Sequence, residues 1–218
     1  MYNFKDGDTV LFQGDSITDG NRGRSDDPNH IHGHGYQYIL ASEIYGDNLD
    51  KNITVINRGV SGNRISDLYD RWEEDCIKLN PTLVSILIGI NDVLYCFENN
   101  GGSDPQRFEE LYRNLLDGVF ENNPDTVIVI MEPFYGRSRN LDFYYFCKKN
   151  VPIYAEITKR IALEYNAVFV PLQDIFDTFL ETPDIFKVIW DGVHPTTCGH
   201  GLIAKRWKKC VEDKLNAE

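Results

Sequence analysis

Cysteine is scarce in this chain of 218 residues, and its few cysteines form no recognisable pattern. They are odd in number and include no Cys-x-x-Cys pair, which argues against a disulfide framework and against a zinc knuckle. We expect reduced thiols at all five positions, Cys76, Cys96, Cys147, Cys198 and Cys210.

Long apolar runs are also missing. No stretch approaches the roughly 20 apolar residues that a helix needs to cross a bilayer. The opening residues lack the basic and apolar regions of a secretory signal. We therefore expect a cytoplasmic protein without a membrane partner.

Basic residues are few, with 22 Lys and Arg against 34 Asp and Glu and a formal net charge of -12. Such a surface repels nucleic acid and anionic lipid, but it leaves neutral sugars and uncharged esters open as ligands. The sequence has no Gly-x-Gly-x-x-Gly and no Gly-x-x-x-x-Gly-Lys-Ser/Thr run. This argues against the alternative of a non-catalytic nucleotide- or phosphate-binding module.

Apolar runs rich in β-branched residues alternate along the chain with segments of helical periodicity. Strands are predicted at residues 10–12, 53–56, 83–88, 126–131 and 168–170, and helices at 36–45, 65–79, 105–120, 151–165 and 199–215. Nearly continuous apolar strands are typical of parallel sheets covered by helices on both faces. The prediction is one α/β domain spanning residues 1–218, a three-layer α/β/α sandwich with a five-stranded parallel sheet.

In open sheets of this kind, ligands bind outside the carboxyl ends of the strands. Three motif-like segments follow the first three predicted strands, at residues 14–18, 57–63 and 89–92. We expect them to meet at one rim of the sheet.

Ser16 follows the first strand, and a serine nucleophile needs a base that a third group orients. Asp191 stands three residues before His194 near the C-terminus. Taken alone, Ser16 can be a helix N-cap and the Asp191 segment a surface turn. Together the three residues predict a nucleophile, a base and its orienting acid.

Acyl transfer also needs donors aimed at the developing oxyanion. The candidates are the backbone N–H groups of Ser16 and Gly62 and the side-chain amide of Asn91. Individually, Gly62 can be a turn glycine and Asn91 a cap of the strand end. A set of unrelated turns would not be expected to place one such motif after each of the first three strands.

Four segments resemble the sequence blocks of the SGNH (GDSL-type) hydrolases: residues 14–18, 57–63, 89–92 and 191–195. The resemblance covers the whole chain and implies a flavodoxin-like fold. It also implies that Ser16 is the nucleophile, Gly62 and Asn91 are oxyanion-hole donors, His194 is the general base and Asp191 its partner. Ile17 replaces the leucine of the name-giving motif, a volume-conserving change.

Further segments at residues 71–75, 131–135 and 190–191 resemble bacterial acetylxylan esterases and related carbohydrate O-deacetylases. This resemblance implies removal of acetyl groups from a sugar or xylo-oligosaccharide without a metal or an organic cofactor. An SGNH lipase or acyl-thioesterase with longer-chain substrates is the alternative. The resemblance also suggests a homo-oligomer.

Other residues invite interpretation. Asp15, Trp190 and Tyr135 are candidate substrate-binding residues, although a tryptophan before a turn is often a core anchor. The aromatic residues at 143–146 can stack on a sugar or pack internally. The alternating His30, His32 and His34 have a spacing seen in metal sites, but without further ligands nearby we interpret them as part of an entrance loop.

Overall fold

The computed structural model describes residues 3–98 and 100–215. The elements in chain order are β1 (Thr9–Gly14), α1 (Ser16–Asp19), α2 (Tyr36–Asp47), β2 (Thr54–Asn57), α3 (Ile65–Asp75), a 3-10 turn (Ile77–Leu79), β3 (Leu83–Leu87), α4 (Ile90–Phe97), α5 (Pro105–Asn122), β4 (Val127–Met131), α6 (Leu141–Glu164), β5 (Val168–Val170), α7 (Gln173–Leu180), α8 (Ile185–Val188) and α9 (Thr197–Leu215).

The five predicted strands form one sheet in the order β2-β1-β3-β4-β5, and every neighbouring pair is parallel. This is the flavodoxin-like order. The chain leaves β1 in one direction to reach β2, then crosses back to β3 and continues outward. The order therefore reverses beside β1, which marks the carboxyl end of β1 as the expected position of a site.

Helices cover both faces of the sheet. Right-handed crossovers in opposite directions place their helices on opposite faces. Accordingly, α2 packs with α9, whereas α3, α5 and α6 pack against one another in succession. All five residues of β3 are buried, as expected for a central strand between two helical layers. The predicted three-layer α/β/α sandwich is confirmed.

Two helix predictions differ from the structure. Helix α6 begins at Leu141, ten residues before the predicted start, because Asn140 caps it and Pro152 lies inside the helix instead of at its first turn. The segment predicted as one helix at 65–79 is interrupted at Cys76, where α3 ends and the 3-10 turn begins. The short helices α1, α4, α7 and α8 were not predicted, since four to eight residues carry little periodicity.

Among the described residues, no helix is both long and apolar enough to span a membrane.

Candidate active site

Ser16 stands at the end of the strand beside which the sheet order reverses. Strand β1 ends at Gly14, and Asp15 caps α1 by accepting a hydrogen bond from the Ile17 backbone N–H at 3.0 Å. A Cβ atom on Gly14 would lie 2.3 Å from the Leu87 carbonyl oxygen, and Gly14 has a φ of +154°. Glycine therefore permits the tight turn that places Ser16 as the first residue of α1.

The structure brings Ser16, His194 and Asp191 into one hydrogen-bonded chain. Ser16 Oγ lies 2.9 Å from His194 Nε2, and His194 Nδ1 lies 2.6 Å from Asp191 Oδ2. Since the Asp191 carboxylate only accepts, it favours the tautomer with the proton on Nδ1. Nε2 then remains free to accept the Ser16 hydroxyl proton.

The turn that carries Asp191 and His194 is held on several sides. Asp191 Oδ1 accepts the backbone N–H groups of Val193 and His194 at 2.8 and 2.7 Å. An antiparallel bridge joins Ile189 to Pro195 at the base of the turn. The relative orientation of carboxylate and imidazole is thus fixed by the backbone as well as by their side-chain contact.

The electrostatics of this pair stabilise the imidazolium form of His194 relative to an isolated histidine. The hydrogen bond to Asp191 is the largest influence on His194 and raises its pKa above the ordinary value, against the opposing effect of burial. Burial acts to raise the pKa of Asp191, but the hydrogen bonds from His194 and Val193 outweigh it and lower that pKa. Asp191 therefore stays ionised while His194 gains and loses a proton.

The three candidate oxyanion donors follow the neighbouring strands β1, β2 and β3. Gly62 has a φ of +83°, in the left-handed region that favours glycine. Its turn is joined to the end of β1 by a bond of 3.0 Å from Val60 N–H to the Gly14 carbonyl. Asn91, near the start of α4, donates one amide N–H to the Asn63 carbonyl at 3.0 Å. This contact orients the amide and leaves its second hydrogen for a ligand.

Two buried carboxyl groups lie beside these residues. Burial raises the pKa of Asp15 to about 7, opposed by the Ile17 backbone N–H and the nearby His194. Asp15 Oδ2 has no hydrogen-bond partner within the described part of the chain. Burial likewise raises the pKa of Asp92 to about 7, and its carboxyl accepts the Ile65 N–H at the start of α3. Both carboxyl groups are therefore buried inside the protein and do not reach its surface.

The three candidate substrate-binding residues differ in exposure. Trp190 is 60% exposed, and its ring centroid lies 6.5 Å from that of His194. It is therefore a surface residue beside the site and not a core anchor. Tyr135 is buried against Tyr144, and Asp15 is fully buried, so neither presents its side chain to a substrate.

The remaining candidate segments combine buried and exposed side chains. Of the aromatic residues at 143–146, Tyr145 alone is strongly exposed. In the histidine loop, His30 bonds to Asp27, and His32 is buried. Among the described residues, no group of three or more His, Cys, Asp or Glu side chains is arranged to hold a metal ion.

Arg71 supports the site, although no sequence motif assigns it an individual role. Its guanidinium donates to Asn63 Oδ1 at 2.8 Å and to Asp75 at 2.9 Å, and it also reaches the Gly14 carbonyl at 3.4 Å. Asn63 is the residue whose carbonyl orients Asn91. The available signal was the spacing of Arg71 and Asp75, which are ion-paired i,i+4 on α3.

A comparison with protein families matches residues 12–202 to the GDSL-like lipase/acylhydrolase family. The chain belongs to this family. It is also 34% identical to an acetylxylan esterase from Geobacillus stearothermophilus over 206 residues, which is 91% of each chain. Family membership and this relative make the protein a carboxylic ester hydrolase and confirm the predicted resemblance.

Solved structures of the family have the same fold. A GDSL-like lipase from Parabacteroides merdae aligns with a TM-score of 0.87 at 31% identity, over 99% of both chains. A catalytic mutant of the Geobacillus esterase Axe2 aligns with a TM-score of 0.82 at 32% identity, over 95% of both chains. In that mutant an aspartate is replaced by alanine, and in a second catalytic mutant a histidine is replaced.

Proposed function

We propose that the protein removes O-acetyl groups from the sugar hydroxyls of xylo-oligosaccharides through an acyl-Ser16 intermediate. The hydrogen-bonded chain from Ser16 through His194 to Asp191 is the observation that carries this proposal. The sugar substrate is supported by the 34% identity to an acetylxylan esterase over most of both chains. An aspartate and a histidine are also the residues replaced in the catalytic mutants of Axe2.

Acylation begins at Ser16 Oγ, whose 2.9 Å contact with His194 Nε2 provides the path for its proton. As Oγ bonds to the acetyl carbonyl carbon, His194 takes the proton and the carbonyl oxygen becomes an oxyanion. The donors for that oxyanion are the N–H groups of Ser16 and Gly62 and the free amide hydrogen of Asn91. Collapse breaks the ester bond, and His194 protonates the leaving sugar oxygen.

Deacylation repeats the same steps with water. His194 takes a proton from water, the resulting hydroxide oxygen bonds to the acetyl carbon, and the bond to Ser16 Oγ breaks. The proton returns to Ser16, and acetate leaves. Asp191 remains a carboxylate throughout and stabilises the imidazolium that forms twice in each cycle.

The surroundings of the site suit a neutral sugar. Trp190 presents a largely exposed ring beside His194, where the leaving sugar would stand. Aromatic rings of this kind offer a rigid apolar surface on which the C–H face of a sugar can pack. The net charge of -12 does not oppose an uncharged ligand.

Steady-state kinetics on three substrates test the proposal. We expect acetate release from acetylated xylo-oligosaccharides and from p-nitrophenyl acetate, with a lower kcat/KM for p-nitrophenyl octanoate. Ser16→Ala and His194→Ala should each lower kcat by several orders of magnitude. Faster cleavage of the octanoate than of the acetate would indicate a lipase or thioesterase instead of a deacetylase. Wild-type rates in either variant would refute the site assignment.

A further inference from the structure

We propose that Asp19 is the positioning residue of the oxyanion hole: its carboxylate holds Ser61 so that the next backbone N–H, that of Gly62, faces the reacting carbonyl. This inference rests on the proposed function, because it assigns a role within the same acyl-transfer site. Asp19 itself would not touch the substrate.

Asp19 lies at the end of α1 and is only 4% exposed. Its Oδ2 accepts the backbone N–H of Ser61 at 3.0 Å and the Ser61 hydroxyl at 2.9 Å. Arg24 donates to both carboxylate oxygens, at 2.8 and 3.1 Å, and the Arg22 backbone N–H donates to Oδ1 at 3.1 Å. Five donors thus converge on one nearly buried carboxylate.

These contacts connect the nucleophile to the oxyanion donor. Ser16 and Asp19 are the first and last residues of the same four-residue helix. Ser61 immediately precedes Gly62, so fixing the backbone and the side chain of Ser61 limits the rotation of the peptide that carries the Gly62 N–H. Gly62 has no side chain of its own with which to be anchored. Asp19 therefore holds Ser16 and Gly62 in a common frame.

A second buried side chain holds the beginning of the same turn independently. Asn57 donates to the carbonyls of Thr18, Asp19 and His32, and its Oδ1 accepts the Gly59 N–H at 2.9 Å. These bonds fix residues 57–59 but do not reach Ser61. Loss of the Asp19 carboxylate should therefore loosen residues 61–62 while the strand and α1 stay joined.

Because Asp19 is charged, its replacement can distinguish two roles: positioning of Ser61 and Gly62, or a direct electrostatic effect on the oxyanion. A carboxylate near a developing oxyanion opposes it, and the salt bridge from Arg24 offsets that effect. Asp19→Asn removes the negative charge and leaves the Arg24 cation. A field acting through space would then raise kcat, whereas loss of positioning would lower it.

The experiment compares the wild type with Asp19→Asn, Ser61→Ala and the control Asp8→Asn. Asp8 is another mostly buried carboxylate that accepts a backbone N–H, but it lies just before β1, at the opposite end of that strand from Ser16. Measurements are kcat and KM for p-nitrophenyl acetate, Tm, and inhibition by phenylboronic acid. The boronic acid adds to the serine and places an oxygen in the oxyanion hole.

We expect Asp19→Asn to lower kcat by roughly ten- to a hundredfold with KM within about threefold, since removing a whole donor costs about 10²–10³ in kcat. Boronate affinity should fall by a similar factor. Ser61→Ala, which loses only the hydroxyl contact, should lower kcat by about two- to fivefold. Asp8→Asn should change Tm alone.

An unchanged or raised kcat in Asp19→Asn, with or without a lower Tm, would overturn the proposal. If Asp19→Asn does not fold, Ser61→Ala provides the test. A kcat and a boronate affinity equal to those of the wild type in Ser61→Ala would then overturn the proposal. Failure of the proposed function is recognised separately, because Ser16→Ala would then retain activity and wild-type protein would not be inhibited by the boronic acid.

Discussion

Replacing Asp15 with asparagine should make the protein's stability less dependent on pH. Asp15 is fully buried beside Ser16, and burial raises its pKa from the ordinary 3.8 to about 7. Between these pH values the folded state holds a proton that the unfolded state has lost. The free energy of unfolding therefore falls as pH rises through this window.

The size of the effect follows from the shift. About three pKa units, at about 1.4 kcal/mol each, give about 4 kcal/mol in total, of which about 3 kcal/mol is lost between about pH 4.5 and pH 8.5. Asparagine keeps the oxygen that accepts the Ile17 N–H but carries no charge. Its buried NH₂ group imposes a cost that is the same at both pH values, so it cancels from the difference.

Urea denaturation of the wild type and Asp15→Asn at these two pH values measures the difference. The quantity compared is the free energy of unfolding of the variant minus that of the wild type. This difference should be about 3 kcal/mol larger at the higher pH than at the lower. The same comparison in a His194→Gln background removes the coupling of Asp15 to His194. An equal difference in stability at both pH values would show that the pKa of Asp15 is not raised in the folded protein.

Three further predictions concern the site itself. Asp191→Asn should lower kcat by about 10⁴ and move the acid limb of the kcat/KM profile to lower pH, because Asp191 raises the pKa of His194; a limb at or above its wild-type position would contradict this. Gly62→Ala should cost about 1–2 kcal/mol of stability in chemical denaturation, because a side chain is strained at a φ of +83°; a stability equal to wild type would argue against this backbone geometry. Trp190→Ala should raise KM for acetylated xylo-oligosaccharides by about tenfold, the loss of roughly 1.4 kcal/mol of ring contact, while leaving p-nitrophenyl acetate nearly unaffected; equal effects on both substrates would mean that the ring does not hold the sugar.

The sequence predicts the sheet and the position of the site well because both depend on local pattern. Strand β3 is apolar at almost every position, which is enough to identify a buried parallel strand. The segments around Ser16, Gly62 and Asn91 each follow a strand, so the geometry of a parallel sheet places them on one rim. The hydrogen bonds from Val60 N–H to the Gly14 carbonyl and from the Asn91 amide to the Asn63 carbonyl join these segments, as expected.

Contacts between loops and the exposure of individual side chains cannot be predicted from the sequence. The bond between Asp19 and Ser61 depends on how two turns pack after β1 and β2 have paired, and no local motif encodes it. Similarly, Tyr135 and Trp190 both lie in loops, yet tertiary packing buries one and exposes the other. The helix predicted to start at residue 151 begins instead at Leu141 and extends through Pro152.

Some sequence predictions remain predictions. They include the single domain spanning residues 1–218, the cytoplasmic location, the absence of a nucleic-acid partner and the homo-oligomer. Light scattering would test the last of these, since a monomer mass of 25.1 kDa would contradict it.

The most direct test of the proposed mechanism is covalent labelling of the nucleophile. The wild type and His194→Ala are treated with a fluorophosphonate, and the modified peptide is identified by mass spectrometry. We predict a single adduct at Ser16 that forms rapidly in the wild type and very slowly in His194→Ala, because the base is needed to activate the hydroxyl. An adduct on another residue, or labelling of Ser16 at the same rate in both proteins, would contradict the mechanism.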